Sequence, residues 1–257
     1  MRLLMMICFL LTSLLGISLA AHATSAVFQV STISALTQGV YDGDYRYGDL
    51  MKKGDFGLGT FLDLNGEMVA LDGHFYQIEA SGKLTQVRKD QIVPFAEITY
   101  FHPSTSKPLN NVPNYNQLAE QLITISKNVP YAIRIDGSFH TLTLRSLRKQ
   151  KKPYPTLVKA ASEQAIYRLR DVKGTLVGFW FPAYWGGIAV PGFHLHFVTA
   201  DRRTGGHVLE LSIDQAKLSV AKLDQVHVYL PHTASFSQIN LSDEQLTSSI
   251  KKAEGGT

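Results

Sequence analysis

The sequence predicts an α+β fold of two β-rich subdomains, with mixed or antiparallel sheets, few helices and a His-x-His hairpin in the C-terminal half. Three observations carry this prediction. Turn-forming pairs recur at short intervals, among them Asn65-Gly66, Asp72-Gly73, Ser81-Gly82 and Asp136-Gly137, and Asn-Gly and Asp-Gly supply the positive φ angles that tight hairpins require. The segments between these turns are of strand length, and helical spacing of apolar residues is confined to a few places. Pro153-Tyr154-Pro155 then interrupts the pattern and marks a joint between two halves, 24–152 and 153–257. Such a chain packs sheets on each other and covers their exposed faces with helices.

Ahead of the first half, Met1-Arg2, an uncharged run over 3–19 and Ala21-His22-Ala23 form the pattern of a cleaved secretory signal over 1–23. The apolar run is short for a membrane span and no second one follows, so the mature protein is expected outside the membrane, in a periplasm or beyond the cell. The sole cysteine, Cys8, falls inside this segment. A mature chain without thiols excludes a cysteine nucleophile, a thiolate metal ligand and an iron-sulfur centre. About 234 residues remain, enough for one large or two small domains with a substantial core. Without Arg2 they carry 24 basic and 21 acidic side chains, a net charge of +3 that favours a small anionic substrate. No basic stripe with interleaved aromatics is present, which argues against a nucleic-acid partner. The densest basic run, Arg145, Arg148, Lys149, Lys151 and Lys152, reads mainly as a solvated loop with one member free for another role.

In order, strands are expected at 57–64, 67–71, 74–79 and 84–87 as a meander, with another at 95–101. Apolar residues at 118, 122 and 125 predict a helix over 116–127, and 131–136 with 139–147 read as a hairpin about Asp136-Gly137. Past the joint come a short helix at 156–162, strands at 165–170 and 175–181, the histidine hairpin, and a strand at 225–230. The tail is helical in character: Ser242 and Gln245 form a capping-box pattern, and Leu246 and Ile250 share one face.

The hairpin carries the chemistry. His194 and His196 are two apart and share a strand face, while Phe193, Leu195 and Phe197 cover the other. If 193–200 pairs antiparallel with 206–213 about Asp201-Arg202, position 196 lies opposite 207 and His207 joins them; a one-residue slip would send it to the far face. Three neutral imidazoles with a coordination position left open are the pattern of a catalytic zinc site. A lone histidine on an apolar strand is more often a packed core residue, but burying three together without a ligand requires each ring to find its own partner. Taken locally, Glu67 after Asn65-Gly66 reads as an exposed hairpin residue, and Arg145 is equally open to a solvated edge charge and to a role in a site. His74, His102, His140, His227 and His232 lack ligand spacing, and Trp180, Tyr184 and Trp185 are open to core packing or to a pocket wall.

Several ordered motifs extend this reading. Gly54-Asp55-Phe56-Gly57-Leu58-Gly59-Thr60-Phe61 leads to Leu64-Asn65-Gly66-Glu67 and Leu71-Asp72-Gly73-His74-Phe75-Tyr76. Leu144-Arg145-Ser146 precedes Gln150-Lys151-Lys152-Pro153-Tyr154. Gly174-Thr175-Leu176-Val177-Gly178-Phe179 and Pro182 lead through Pro191-Gly192-Phe193-His194-Leu195-His196-Phe197 to Gly205-Gly206-His207. In their order and combination, from about Val27 to Glu254, the chain resembles the bacterial α-acetolactate decarboxylases. The resemblance implies zinc held by His194, His196 and His207, Glu67 and Arg145 as polar active-site residues, Thr60 near the substrate, and Glu254 returning to the metal from the tail. It implies decarboxylation of 2-acetolactate to (R)-acetoin and carbon dioxide, with zinc chelating the keto and hydroxyl oxygens and stabilising an enediolate. Arg145 would pair with the substrate carboxylate, Glu67 or Glu254 would deliver the proton, and the protein would be a homodimer joined at sheet edges. The residues alone also admit another exported zinc enzyme, such as a metal-assisted hydrolase, or a non-catalytic metal-binding protein, and imidazole ligands also suit copper, nickel or iron.

Overall fold

Asn65-Gly66 and Asp72-Gly73 turn the chain as expected, with Gly66 at φ 88°, Asp72 at 52° and Gly73 at 77°. The computed structural model describes residues 25–121, 126–242 and 246–254; the expected signal segment, residues 122–125 of the expected 116–127 helix and the capping residue Gln245 lie outside them, and residues 126–127 are not helical. Up to Pro153 the elements are β1 (Ala26–Val30), α1 (Ile33–Thr37), β2 (Tyr45–Arg46), α2 (Tyr47–Leu50), β3 (Phe56–Thr60), β4 (Glu67–Leu71), β5 (His74–Ile78), β6 (Leu84–Gln86), β7 (Ile92–Val93), β8 (Ala96–Thr99), β9 (Thr105–Val112), α3 (Tyr115–Gln121) and β10 (Tyr131–Ser146). After it come α4 (Leu157–Ala161), β11 (Ala165–Phe181), β12 (Gly192–Thr199), β13 (Gly205–Lys222), β14 (Gln225–Tyr229), α5 (Ala234–Gln238) and α6 (Leu246–Glu254). The α+β class holds.

One sheet has the order β14-β1-β8-β3-β4-β5-β6 and is antiparallel except where β1 runs parallel to β14. The second has the order β10-β11-β12-β13-β9, and β10 also pairs with β13, so four of its strands close on themselves. β13 gives one edge to β10 along its length; its other edge serves β12 first and β9 later. β2 and β7 form a separate pair. Strands from both sides of Pro153 share each sheet: β9 and β10 join the second, and β14 joins the first.

Phe56, Leu58, Val69 and Leu71 of the first sheet pack on Val177, Phe179, Val198 and Ala221 of the second. A separate cluster inside the second sheet collects Phe139, Leu142, Leu144, Phe193, Leu195 and Phe197. Burial of these faces supplies the main drive for the fold.

Two expected breaks between strands are absent. β10 runs straight through Asp136-Gly137, where Gly137 pairs with Gly174 on one side and Ala216 on the other. A Cβ on Gly137 would lie 2.3 Å from the Gln215 carbonyl oxygen, so this glycine permits close backbone approach within a ladder. The strands expected at 165–170 and 175–181 are likewise one strand, β11, in which Asp171 adopts φ 48°. The meander's first strand stops at Thr60, because Asp63 and Leu64 take positive φ in a short 3₁₀ turn.

Candidate metal centre and its carboxylates

The register of the histidine hairpin is the expected one: His196 is the ladder partner of His207. The connection spans 200–204, with Thr199 N–H donating to Thr204 O at 2.9 Å and Arg202 at φ 58°. Phe193, Leu195 and Phe197 face the inner cluster of their own sheet. The three imidazoles project the other way, toward the first sheet, with ring centroids 5.2–5.3 Å apart and one nitrogen from each within 4.8 Å of the others. All three are buried.

Their hydrogen bonds settle which nitrogens are free. His196 Nδ1 lies 2.8 Å from Met68 O, and His207 Nε2 lies 2.9 Å from Glu254 O. A carbonyl oxygen can only accept, so each of those nitrogens carries the proton and the other nitrogen of each ring presents a lone pair. His196 Nε2 and His207 Nδ1 have no hydrogen-bond partner among the described residues. Burial, the largest cause, holds all three rings below the usual imidazole range, His194 at about 3, with the Arg145 charge acting the same way. Neutral rings with unpartnered buried lone pairs are the form that binds a metal ion, so these residues fit zinc.

Glu67, Arg145 and Glu254 meet beside the imidazoles. Arg145, paired with His207 in the β10–β13 ladder, is 1% exposed and donates from Nη1 to Glu67 Oε1 at 2.9 Å and from Nη2 to Glu254 Oε2 at 2.8 Å. Neither Glu67 as an exposed hairpin residue nor Arg145 as a solvated edge charge survives. Glu67 heads β4 opposite Thr60, and both are buried. Glu254 arrives on α6, where Leu246, Ile250 and Ala253 are buried and the helix packs against α1 and α4. Its Oε2 lies 3.7 Å from both His194 Nε2 and His207 Nδ1, while Glu67 Oε2 lies 3.6 Å from His196 Nε2. Thr60 Oγ1 donates to Gly66 O at 2.7 Å and so braces the turn that delivers Glu67.

Burial raises Glu67 to about 7 against the pull of Arg145, and it raises Glu254 while Arg145 holds it back. A third buried carboxylate, Glu97, was not singled out by sequence reasoning. Burial, then the Glu254 charge, push it to about 8. Its signal was a charged residue within the apolar stretch Phe95-Ala96-Glu97-Ile98. Glu67 and Glu254 bring carboxylate oxygens to the imidazole nitrogens, a nitrogen and oxygen donor set that suits zinc.

The chamber bounded by Thr60, Glu67, Arg145, His194, His196 and Glu254 holds a cavity of about 20 Å³. That is room for about one water or one ion. On the other side of Glu254, Trp180, Phe181, Pro191, Ile250 and Lys251 border a cavity of about 630 Å³. His140, with Asp171 and Asp214, forms a second, largely exposed group.

Fold and site define a β-rich protein with a buried three-histidine centre flanked by carboxylates. Residues 27–243 match the sequence profile of the family described as Alpha-acetolactate decarboxylase. The α-acetolactate decarboxylase of Brevibacillus brevis is 42% identical over 232 residues, covering 90% of this chain and 81% of that one. That of Methanosarcina mazei is 41% identical over 91% of this chain and 81% of its own. The crystal structure of the Bacillus subtilis strain 168 enzyme superposes with a TM-score of 0.88 at 37% identity, covering 90% of this chain and all of that one. The chain belongs to the α-acetolactate decarboxylase family.

Proposed function

We propose that this protein decarboxylates 2-acetolactate to (R)-acetoin and carbon dioxide with zinc held by His194, His196 and His207. The observation that carries the reading is the convergence of three neutral imidazoles on a Glu67–Arg145–Glu254 bridge in a chain of this family. Loss of carbon dioxide leaves an electron pair that the neighbouring ketone oxygen must accept. Zinc, when bound, supplies the Lewis acidity for that charge.

The chain's own residues do the rest. Arg145 fixes Glu67 and Glu254 on either side of the imidazoles, and its fork matches carboxylates. Each terminal nitrogen gives one of its two hydrogens to a glutamate, and Nε has no partner among the described residues, so Arg145 keeps N–H groups for the substrate carboxylate. Glu67, which burial keeps protonated up to about neutral pH, carries the proton that the product carbon needs. Delivery from one buried position gives one enantiomer. Glu254, which shares Oε2 with Arg145 and faces two imidazole nitrogens, serves in this reading as a further oxygen ligand. A 20 Å³ chamber is too small for the substrate, so binding requires movement at Glu254 and α6, where the larger cavity adjoins.

Residues 1–23 are in this reading a cleaved export signal, and the mature protein pairs with a second copy through sheet edges; N-terminal sequencing and light scattering test these two points. The reaction is tested by incubating zinc-loaded protein with racemic 2-acetolactate. Equal amounts of acetoin and carbon dioxide, with one acetoin enantiomer, support it. Ester or amide turnover without carbon dioxide would favour a hydrolase, and no product from folded, zinc-loaded protein would overturn the reading.

A further inference from the structure

Glu97 lies on β8, between β1 and β3, and is 0% exposed. Neither of its carboxylate oxygens has a hydrogen-bond partner among the described residues. Its ladder neighbours cannot provide one: Leu58 has no polar side-chain atom, and Gln29 gives its amide hydrogens to Ser31 O at 2.8 Å and Ile188 O at 2.7 Å. The group that faces Glu97 Oε2 is His194 Nδ1, 3.8 Å away across the gap between the sheets and itself without a hydrogen-bond partner.

The comparison with the other two histidines gives this geometry its meaning. His196 and His207 each have a backbone carbonyl that fixes one ring proton and turns the other nitrogen inward. His194 has no carbonyl in that position. It has Glu97. A ligating imidazole whose outer N–H meets a carboxylate is held in one tautomer and made a stronger donor. A buried carboxylate with nothing to do is costly where an apolar side chain would fit the sheet.

We infer that Glu97 is a positioning residue for the metal centre, accepting the Nδ1–H of His194 so that Nε2 presents its lone pair beside His196 Nε2 and His207 Nδ1. It touches neither the substrate nor the metal position and acts through the ring. The inference rests on the reading of the three histidines as ligands, and it assigns Nδ1 as the protonated nitrogen of His194 when Glu97 is ionised.

Two measurements test it on the full mature chain. Zinc affinity is read by chelator competition for the parent, Glu97→Gln and Glu97→Ala, with circular dichroism to check folding. The expected loss is ~10- to 100-fold for alanine, and less for glutamine, whose carbonyl oxygen still accepts. Long-range ¹H–¹⁵N NMR of the metal-free parent above pH ~8, where Glu97 is ionised, reads the His194 tautomer directly and needs no variant to fold. Nδ1-protonated His194 with weakened zinc binding in Glu97→Ala supports the inference. Parent-like affinity in both variants, or a parent His194 protonated on Nε2, overturns it. A parent that binds no zinc defeats the metal reading instead, and the tautomer of His194 still decides the Glu97 contact.

Discussion

Arg145→Met removes the one positive group between two buried carboxylates. Arg145, Glu67 and Glu254 side chains are 2–4% exposed, and the two bonds are 2.9 and 2.8 Å long. Removing one partner from a buried, hydrogen-bonded pair costs about 3–5 kcal/mol, because the remaining charge is left uncompensated. The loss falls toward the lower end here, since Glu67 can take up a proton near neutral pH. Arg145→Lys keeps the charge but gives up the fork, so it reaches one carboxylate at a time and costs about 1.5–3 kcal/mol, the worth of one hydrogen bond to a charged group. Adding Glu67→Gln to Arg145→Met recovers part of the loss, because one uncompensated charge disappears. Urea unfolding at pH 7 of chelator-treated proteins gives these differences, and acetoin formation by the zinc-loaded proteins falls by at least ~100-fold in the methionine variant. An Arg145→Met protein within about 0.5 kcal/mol of the parent and fully active would refute the bridge as the organiser of the site.

Three further outcomes are expected. Stability of the chelator-treated protein falls between pH 6.5 and 8: folded Glu67 and Glu97, at about 7 and about 8, retain protons that the unfolded chain has released. The slope is about 1.4 kcal/mol per pH unit for each carboxylate still titrating. The buried histidines act in the opposite direction, raising stability with pH through about 6.5, an effect that fades by about 7.5 as the unfolded chain gives up their protons. Urea midpoints that stay level or rise between pH 6.5 and 8 would contradict this. Glu67→Gln should leave zinc affinity within a few-fold while lowering kcat by ~100-fold or more, and equal rates in stopped-flow turnover would remove Glu67 from the proton step. Gly137→Ala forces a Cβ to 2.3 Å from Gln215 O with backbone on both sides and should cost about 1–3 kcal/mol in thermal unfolding.

Legibility in the sequence followed the range of the interactions. The histidine register could be read because alternation on a strand is local and the loop fixed it, and the meander because Asn65-Gly66 and Asp72-Gly73 require positive φ. Gly137 resembled the same signal but serves a long strand flanked on both sides, a fact that depends on partners at 174 and 216. Glu67, Arg145 and Glu254 were found through motifs; their meeting depends on β4 facing the second sheet and on α6 docking against α1 and α4. Glu97 carried no motif, and its proximity to His194 arises only from the packing of one sheet on the other. Pro153 suggested a joint, whereas strand exchange across it can be seen only in three dimensions.

The most direct measurement is carbon dioxide release from racemic 2-acetolactate by chelator-treated protein titrated with zinc. The account predicts negligible release without metal, a rise that saturates at one zinc per chain, and no recovery by His207→Ala at the same zinc levels. Full release by metal-free protein, or an unchanged titration in His207→Ala, would contradict it.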